Sequence, residues 1–224
     1  MNGNMLNQVS ILSRINLELF SKKIDKTFES VIQFSESHKS CCVSIVDIVN
    51  STKIIASLPE NLACKYYFIF LNSMSLIAKE YGAKIVKNMG DSLLYYFPNS
   101  VNSLDNFKQH NTIECNLSML EAHDKINKIM FRENLPPIDY RISVDYGSIM
   151  EASCFNLKSE DIFGYTVNMC AKMNSMANPN SMIIGQDLYQ IIKKMNYSFS
   201  YVGDYDLGGR FVYSTFLVSK KSKL

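Results

Sequence analysis

The 224-residue sequence contains no run of about 18 consecutive apolar residues, so no transmembrane helix is expected. Its first residues lack a charged segment followed by an apolar core, so no secretory leader is expected and a cytoplasmic location follows as the expectation. The six cysteines form no C-x-x-C pair and no zinc-like spacing. Adjacent Cys41 and Cys42, and Cys170 in a helix-like run, suit reduced core thiols better than a disulfide framework. A net charge of only +2 gives no broad steering toward nucleic acid or an acidic membrane. Neither G-x-G-x-x-G nor G-x-x-x-x-G-K-[ST] occurs, which argues against dinucleotide-binding and P-loop folds. No internal repeat or low-complexity linker is present.

What is present is a globular composition, 47% hydrophobic and 20% charged, in a length that suits one ordinary domain with an added segment. Two aspartates stand out because each interrupts an apolar, β-prone run. Asp47 lies within Cys41-Cys42-Val43-Ser44-Ile45-Val46-Asp47-Ile48-Val49, and Asp91 within Met89-Gly90-Asp91-Ser92-Leu93-Leu94-Tyr95-Tyr96-Phe97. A carboxylate among buried strand residues is costly unless it is paired or bound to a cation. Two of them on neighbouring strands make a site for hard divalent metals. Either aspartate alone reads as a turn or cap residue; the shared context favours metal.

Apolar residues spaced three and four apart over 8–34 predict an amphipathic helix, ended by the polar stretch 35–40. Such a helix either packs on its own domain or forms a dimer contact that relays a signal from a regulatory partner. A strand is expected over 41–49, then a short helix that Asn50-Ser51-Thr52 can cap. Further helices are expected over 61–80, 112–133, 165–177 and 185–195. Strands are expected over 83–88, 92–97, 138–149, 181–184, 198–203 and 211–218, with loops over 99–110 and 151–160. The division expected is an N-terminal helical segment (1–38), a catalytic domain (39–219) and a basic tail (220–224).

Three segments carry a family resemblance. Ser44-Ile45-Val46-Asp47-Ile48-Val49-Asn50-Ser51-Thr52 resembles the first metal motif of the class III nucleotidyl cyclases, the adenylate and guanylate cyclase catalytic domains. Gly82-Ala83-Lys84-Ile85-Val86-Lys87-Asn88-Met89-Gly90-Asp91 resembles the second. Asp161-Ile162-Phe163-Gly164-Tyr165-Thr166-Val167-Asn168-Met169-Cys170-Ala171-Lys172-Met173, followed by Ala177-Asn178-Pro179, resembles the third. The interval from Asp47 to Asp91 also suits the family, and the likeness extends from residue 41 to about 218. It implies an α/β (α+β) fold, a ferredoxin-like sandwich with a mainly antiparallel sheet and flanking helices.

The resemblance also implies roles. Asp47 and Asp91, with the backbone carbonyl of Ile48, would bind two Mg²⁺ or Mn²⁺ ions. Asn50, Ser51 and Thr52 would lie under a nucleoside triphosphate, where a helix N-terminus favours anions. Lys87 and Asp161 match the two purine-reading positions, and a donor with an acceptor suits adenine, making ATP the favoured substrate. Asn168 would orient the ribose. Four residues on, one turn along the same helix face, the family has an arginine that stabilises the α-phosphate; this chain has Lys172. A planar fork is thereby replaced by a mobile point charge. After Leu207 the family has a phosphate-binding lysine; Gly208 stands here, with Arg210 as a substitute two residues on. At Asp145 the family has a histidine. The resemblance implies active sites at a homodimer interface, the metal residues from one subunit and Lys87, Asp161, Asn168 and Lys172 from the other. The alternatives left open are a guanylate or pyrimidine (UTP/CTP) cyclase of the same fold, and a weakly active or inactive nucleotide-binding module.

Overall fold

The computed structural model describes residues 32–98, 107–154, 157–208 and 212–221. The described strands are β1 (Ile32–Ile48), β2 (Lys84–Met89), β3 (Ser92–Phe97), β4 (Tyr140–Cys154), β5 (Leu157–Phe163), β6 (Met182–Gly185), β7 (Tyr197–Asp206) and β8 (Val212–Lys220). The helices are α1 (Ser51–Ala56), α2 (Glu60–Glu80), α3 (Phe107–Glu121), α4 (His123–Arg132), α5 (Tyr165–Asn174) and α6 (Gln186–Ile192). One sheet runs in the order β2-β3-β1-β4-β6-β8-β7, with β5 added to β4. The pairings are antiparallel except for β4 with β6. This is the expected mixed α/β fold.

The two faces of the sheet are covered differently. Alternation along β1 sends Cys42, Val46 and Ile48 to one face, with Tyr95, Phe97, Ile142 and Val144 from its neighbours. Helix α2 closes that face with Ala63, Tyr66, Phe70, Met74 and Ala78, a stripe at helical spacing. Helices α3, α4 and α6 add Ile113, Met119, Ile126, Met130, Leu188 and Ile192. The other face carries Cys41, Val43, Ile45, Leu94, Tyr96, Ile149 and Ile162, and meets Cys170 of α5. Polar bonds fasten α5 there: the Ser143 hydroxyl donates to the Cys170 carbonyl at 2.8 Å, and the Asn174 amide donates to the Ile45 carbonyl at 3.3 Å.

Four expectations are corrected. The helix expected over 8–34 lies outside the described residues except for its last three, and residues 32–40, expected as helix end and polar linker, are strand. Ile32, Gln33 and Phe34 pair with Cys154, Ser153 and Ala152 of β4. Residues 151–160, expected as loop, belong instead to the β4–β5 hairpin apart from the undescribed 155–156. This polar segment has no helical or strand periodicity of its own. Its extended form comes from partners on both sides, β1 and β5. The helix expected over 112–133 is two helices, broken at Ala122, and the first begins at Phe107 within the expected loop 99–110. The break lets Asn127 of α4 exchange hydrogen bonds with the backbone of Ile138 at 2.7 and 3.0 Å. Asn50 precedes α1 in a left-handed conformation (φ 57°) and makes no side-chain cap bond. No described helix is long and apolar enough to cross a membrane.

Candidate active site

Antiparallel register brings the two aspartates together. Asp47 is the penultimate residue of β1, opposite Ser92 of β3 on one side and Arg141 of β4 on the other. Asp91 immediately precedes Ser92, in the two-residue turn between β2 and β3. Gly90 supplies the positive φ of +69° that this turn requires. The Ser51 hydroxyl, at the start of α1, donates to the Asp91 carboxylate. Asp47 lies on the same face of β1 as Val43 and Ile45, the face opposite the main helix layer.

The electrostatics of the pair are unfavourable as it stands. Burial first, then the charge of Asp91, push the Asp47 carboxyl above the usual aspartate range. Arg141 offsets part of this through its hydrogen bonds and charge. Arg141 Nε and Nη2 both donate to Asp47 Oδ2, at 3.2 and 3.1 Å. The Tyr67 phenol is also pushed up, by burial and then by the charge of Asp91. A half-buried carboxylate whose ionisation is disfavoured by burial and by a second carboxylate suits a hard cation. Oxygen donors without histidine or cysteine suit Mg²⁺ or Mn²⁺ rather than zinc. Among the described residues no cluster of three His, Cys, Asp or Glu side chains forms. A site of one or two carboxylates completed by substrate phosphates is the usual arrangement for Mg²⁺.

Lys87 and Asp161 meet in a second cluster, the lysine ammonium bonded to the aspartate carboxylate. Two departures from regularity bring them together. A register shift between Ile85 and Lys87 makes Val86 an extra residue of β2, so that Lys87 pairs with Leu94 and shares its face of the sheet. The β4–β5 hairpin carries Asp161, paired with Ala152, to within bonding reach of Lys87. The contact they produce joins residues 74 apart in sequence.

Asn168 and Lys172 form a third group, exposed one turn apart on α5. The Lys172 ammonium lies over the ring of Tyr205 of β7, 5.7 Å from its centroid. β7 is the edge strand four positions from β1, about 19 Å at the ordinary strand spacing of ~4.8 Å. Within one chain, therefore, Lys172 points away from the aspartates. Gly208 follows β7 with φ +94°, its N–H donating to Asp206 Oδ1 at 2.7 Å. Arg210 lies outside the described residues.

Two further groups belong here, one absent from the sequence expectations and one noted there only as a departure from the family. Arg141 is one; its signal was a lone arginine flanked by the apolar strand residues Tyr140 and Ile142, at the register of Asp47. Asp145 is the other. It is 1% exposed, and the Tyr213 hydroxyl donates to its Oδ1 at 2.9 Å and Oδ2 at 3.0 Å. The Tyr146 N–H donates to Oδ1 at 2.9 Å. Burial dominates over these bonds and pushes the carboxyl up to about 7. Gly185 leaves it room, since a Cβ there would stand 2.4 Å from Oδ1.

Comparisons with known proteins agree with this geometry. The sequence profile of the adenylate and guanylate cyclase catalytic domain matches residues 34–220. No curated protein sequence matches the chain at a significant level. Among solved structures, the adenylyl cyclase CyaB from P. aeruginosa is similar, with a TM-score of 0.74 at 19% identity, covering 84% of this chain and 97% of that one. The guanylyl cyclase Cya2 gives a TM-score of 0.73 at 15% identity, covering 84% and 95%. The guanylate cyclase domain of RhGC from Catenaria anguillulae, solved with GTP, gives 0.70 at 19% identity, covering 83% and 100%. At these identities the likeness shows the fold, and the match over residues 34–220 shows the family: this chain belongs to the class III nucleotidyl cyclase catalytic domains.

Proposed function

We propose that the chain is an adenylate cyclase, converting ATP to 3′,5′-cyclic AMP and pyrophosphate at sites shared between two copies of itself. The observation that carries the choice of nucleotide is the Lys87–Asp161 pair. A lysine donor beside a carboxylate acceptor complements adenine, whose ring nitrogen accepts and whose amino group donates. A guanine edge presents the opposite polarity. In the absence of a base the two side chains satisfy each other, and a base would part them.

The rest of the mechanism is positioning and charge. Asp47 and Asp91, with the Ile48 carbonyl, would hold divalent ions, which would supply charge to offset the phosphate oxygens and to acidify the ribose 3′-hydroxyl. The chain enters α1 at Asn50, Ser51 and Thr52, so the first amides of that helix turn face the triphosphate. Arg141, already beside Asp47, offers its planar fork to phosphate oxygens. Arg210, between β7 and β8 in the sequence, would supply a further cation. Asn168 orients the ribose, and Lys172 places its charge at the α-phosphate. The 3′-oxygen forms its bond to the α-phosphorus as the bond to pyrophosphate breaks.

The orientation of Lys172 toward Tyr205, across the sheet from the aspartates of its own chain, supports a site completed by a second copy. In a two-fold dimer, each copy then contributes to both sites. Mixing Asp47→Ala and Lys172→Ala proteins, each inactive alone, regenerates one intact site per mixed dimer and restores part of the activity. No recovery on mixing counts against shared sites.

A second reading, a nucleotide-binding module without turnover, is favoured by one feature: lysine in place of arginine at 172. Product analysis with ATP, GTP, UTP and CTP in Mn²⁺ separates the readings. Cyclic AMP as main product supports the proposal. Cyclic GMP, UMP or CMP as main product overturns the adenine assignment. Tight binding with no product from any of the four supports the module.

A further inference from the structure

We propose that Tyr205 is a positioning residue for Lys172, its ring face restraining the flexible lysine so that the ammonium is delivered in a fixed direction. The catalytic consequence rests on the cyclase reading above; the contact itself does not.

Lysine at a position that takes arginine in this family has a physical cost. An ammonium on a four-carbon stem samples many directions, whereas a guanidinium fork is planar and preorganised. Lys172 is exposed on α5, and no carboxylate is bonded to it among the described residues. What it meets is the Tyr205 ring, with Nζ 5.7 Å from the centroid. That distance is within cation–π range, and one side of the ammonium suffices for the ring, leaving donors for a phosphate.

The ring can serve this way only if it is fixed relative to α5, and it is. Tyr205 is partly buried against a small cluster that includes Met169 and Met173, the residues of α5 that flank Lys172, together with Tyr213 of β8. Tyr205 and Tyr213 are direct partners in the β7–β8 ladder. Tyr213 is anchored in turn by its hydroxyl on both oxygens of buried Asp145, and the same hydroxyl accepts the Asp187 N–H at 3.2 Å. Its ring meets Tyr165, the first residue of α5, edge to face at 6.2 Å. One network thus ties the β7–β8 ribbon and the start of α5 to the middle of the sheet. Clamp and lysine belong to one chain, so a dimer partner would receive them as a unit.

The test uses the full-length protein with its lysines reductively ¹³C-methylated, which preserves their charge. The Lys172 methyl resonance is assigned by its loss in Lys172→Arg. The expected result is a ring-current shift of that resonance away from the solvated lysines in the wild type and in Tyr205→Phe, lost in Tyr205→Leu. With the unmodified proteins, Tyr205→Leu lowers kcat about two- to fivefold, the size of one exposed cation–π contact, with KM for the nucleotide unchanged. Tyr205→Phe keeps the wild-type kcat. A wild-type Lys172 resonance lying among the solvated lysines overturns the proposal, and needs no variant at position 205 to fold. So does Tyr205→Leu with wild-type kcat, or Tyr205→Phe falling as far as Tyr205→Leu. If the wild type turns over no nucleotide, the cyclase reading fails, while the methyl resonance still decides whether the clamp exists.

Discussion

The two faces of the central sheet are built from the same strands and do opposite work. Toward α2, α3, α4 and α6 the strands present Cys42, Val46, Ile48, Ile142 and Val144, met by Tyr66, Phe70 and Met74, all buried. That face is apolar, and the Tyr95 hydroxyl buried in it donates to Asn116 Oδ1 at 2.5 Å. Toward α5 the same strands present Asp47, Arg141, Asp145 and Ser143, and the Lys87–Asp161 pair, among apolar residues such as Val43 and Ile45. The helix-covered face accounts for stability by excluding water. The α5 face keeps carboxyls in costly surroundings, and those of Asp47 and Asp145 are both raised, first by burial, with a second carboxylate adding to it. A fold can carry such a face because the opposite one supplies the packing that offsets it.

The contrast can be broken from either side. Asp47→Asn is expected to lower cyclase turnover by about a thousandfold, since one preorganised electrostatic group is removed. Its thermal stability without divalent ions should stay near the wild-type value, because the lost charge was costly in place. Mn²⁺ should raise the wild-type melting temperature and leave that of Asp47→Asn unmoved; equal shifts in the two proteins would remove Asp47 from the metal site. On the other face, Phe70→Ala is expected to cost about 3–5 kcal/mol of stability by emptying a filled core position, read as the change in denaturant midpoint. Below its melting point the variant should keep its KM, and a large KM change would show that the faces are not separable.

A smaller effect sharpens the comparison at Asp145. Its carboxyl is raised in the folded protein, from the ordinary aspartate value of 3.8 to about 7, chiefly by burial. Between those values the folded state holds a proton that the unfolded chain has released. Stability from this residue is therefore fully present below about pH 4, falls as pH rises toward 7, and is flat above. The groups around it are Tyr213 of β8, Asp187 of α6, Tyr165 and Cys170 of α5 and Cys42 of β1. Asp145→Asn keeps one oxygen for the Tyr213 hydroxyl and cannot ionise. Its melting temperature relative to wild type should rise from pH 4 to pH 7 and then level; parallel profiles would refute the assignment. Smallest of all, Lys172→Arg should raise kcat by no more than about tenfold, through the restored fork. A fall would show that the site has become adapted to lysine.

The strands that run through the core were legible because their apolar runs are bounded by turn residues, and α2 because its buried side recurs at helical spacing. Asp47 was legible for a related reason, since a carboxylate inside an apolar strand is an anomaly that needs a cause, and Asp91 because it follows a glycine in the turn that opens an apolar strand. The β4–β5 hairpin was not legible. Residues 151–160 have no periodicity of their own, and the extended form of 151–154 and 157–160 is imposed by pairing of β4 with β1 and with β5. Nor was the role of Arg141 legible, since its partner lies 94 residues away.

The residue types at each position were determined by the sequence alone: which carboxylates interrupt strands, which helix carries Asn168 and Lys172, and that lysine stands where arginine is expected. Which charges face one another was decided only by tertiary structure. The register of β1 against β3 and β4 sets Asp47 beside Arg141 and near Asp91, and the bulge in β2 turns Lys87 toward Asp161. The ladder of β7 with β8 sets Tyr205 beneath Lys172. The reason is that side-chain periodicity is local, whereas strand register is fixed by burying one face as a whole; a slip of one residue would reverse every side chain. The site is therefore specified by the packing of the face opposite to it.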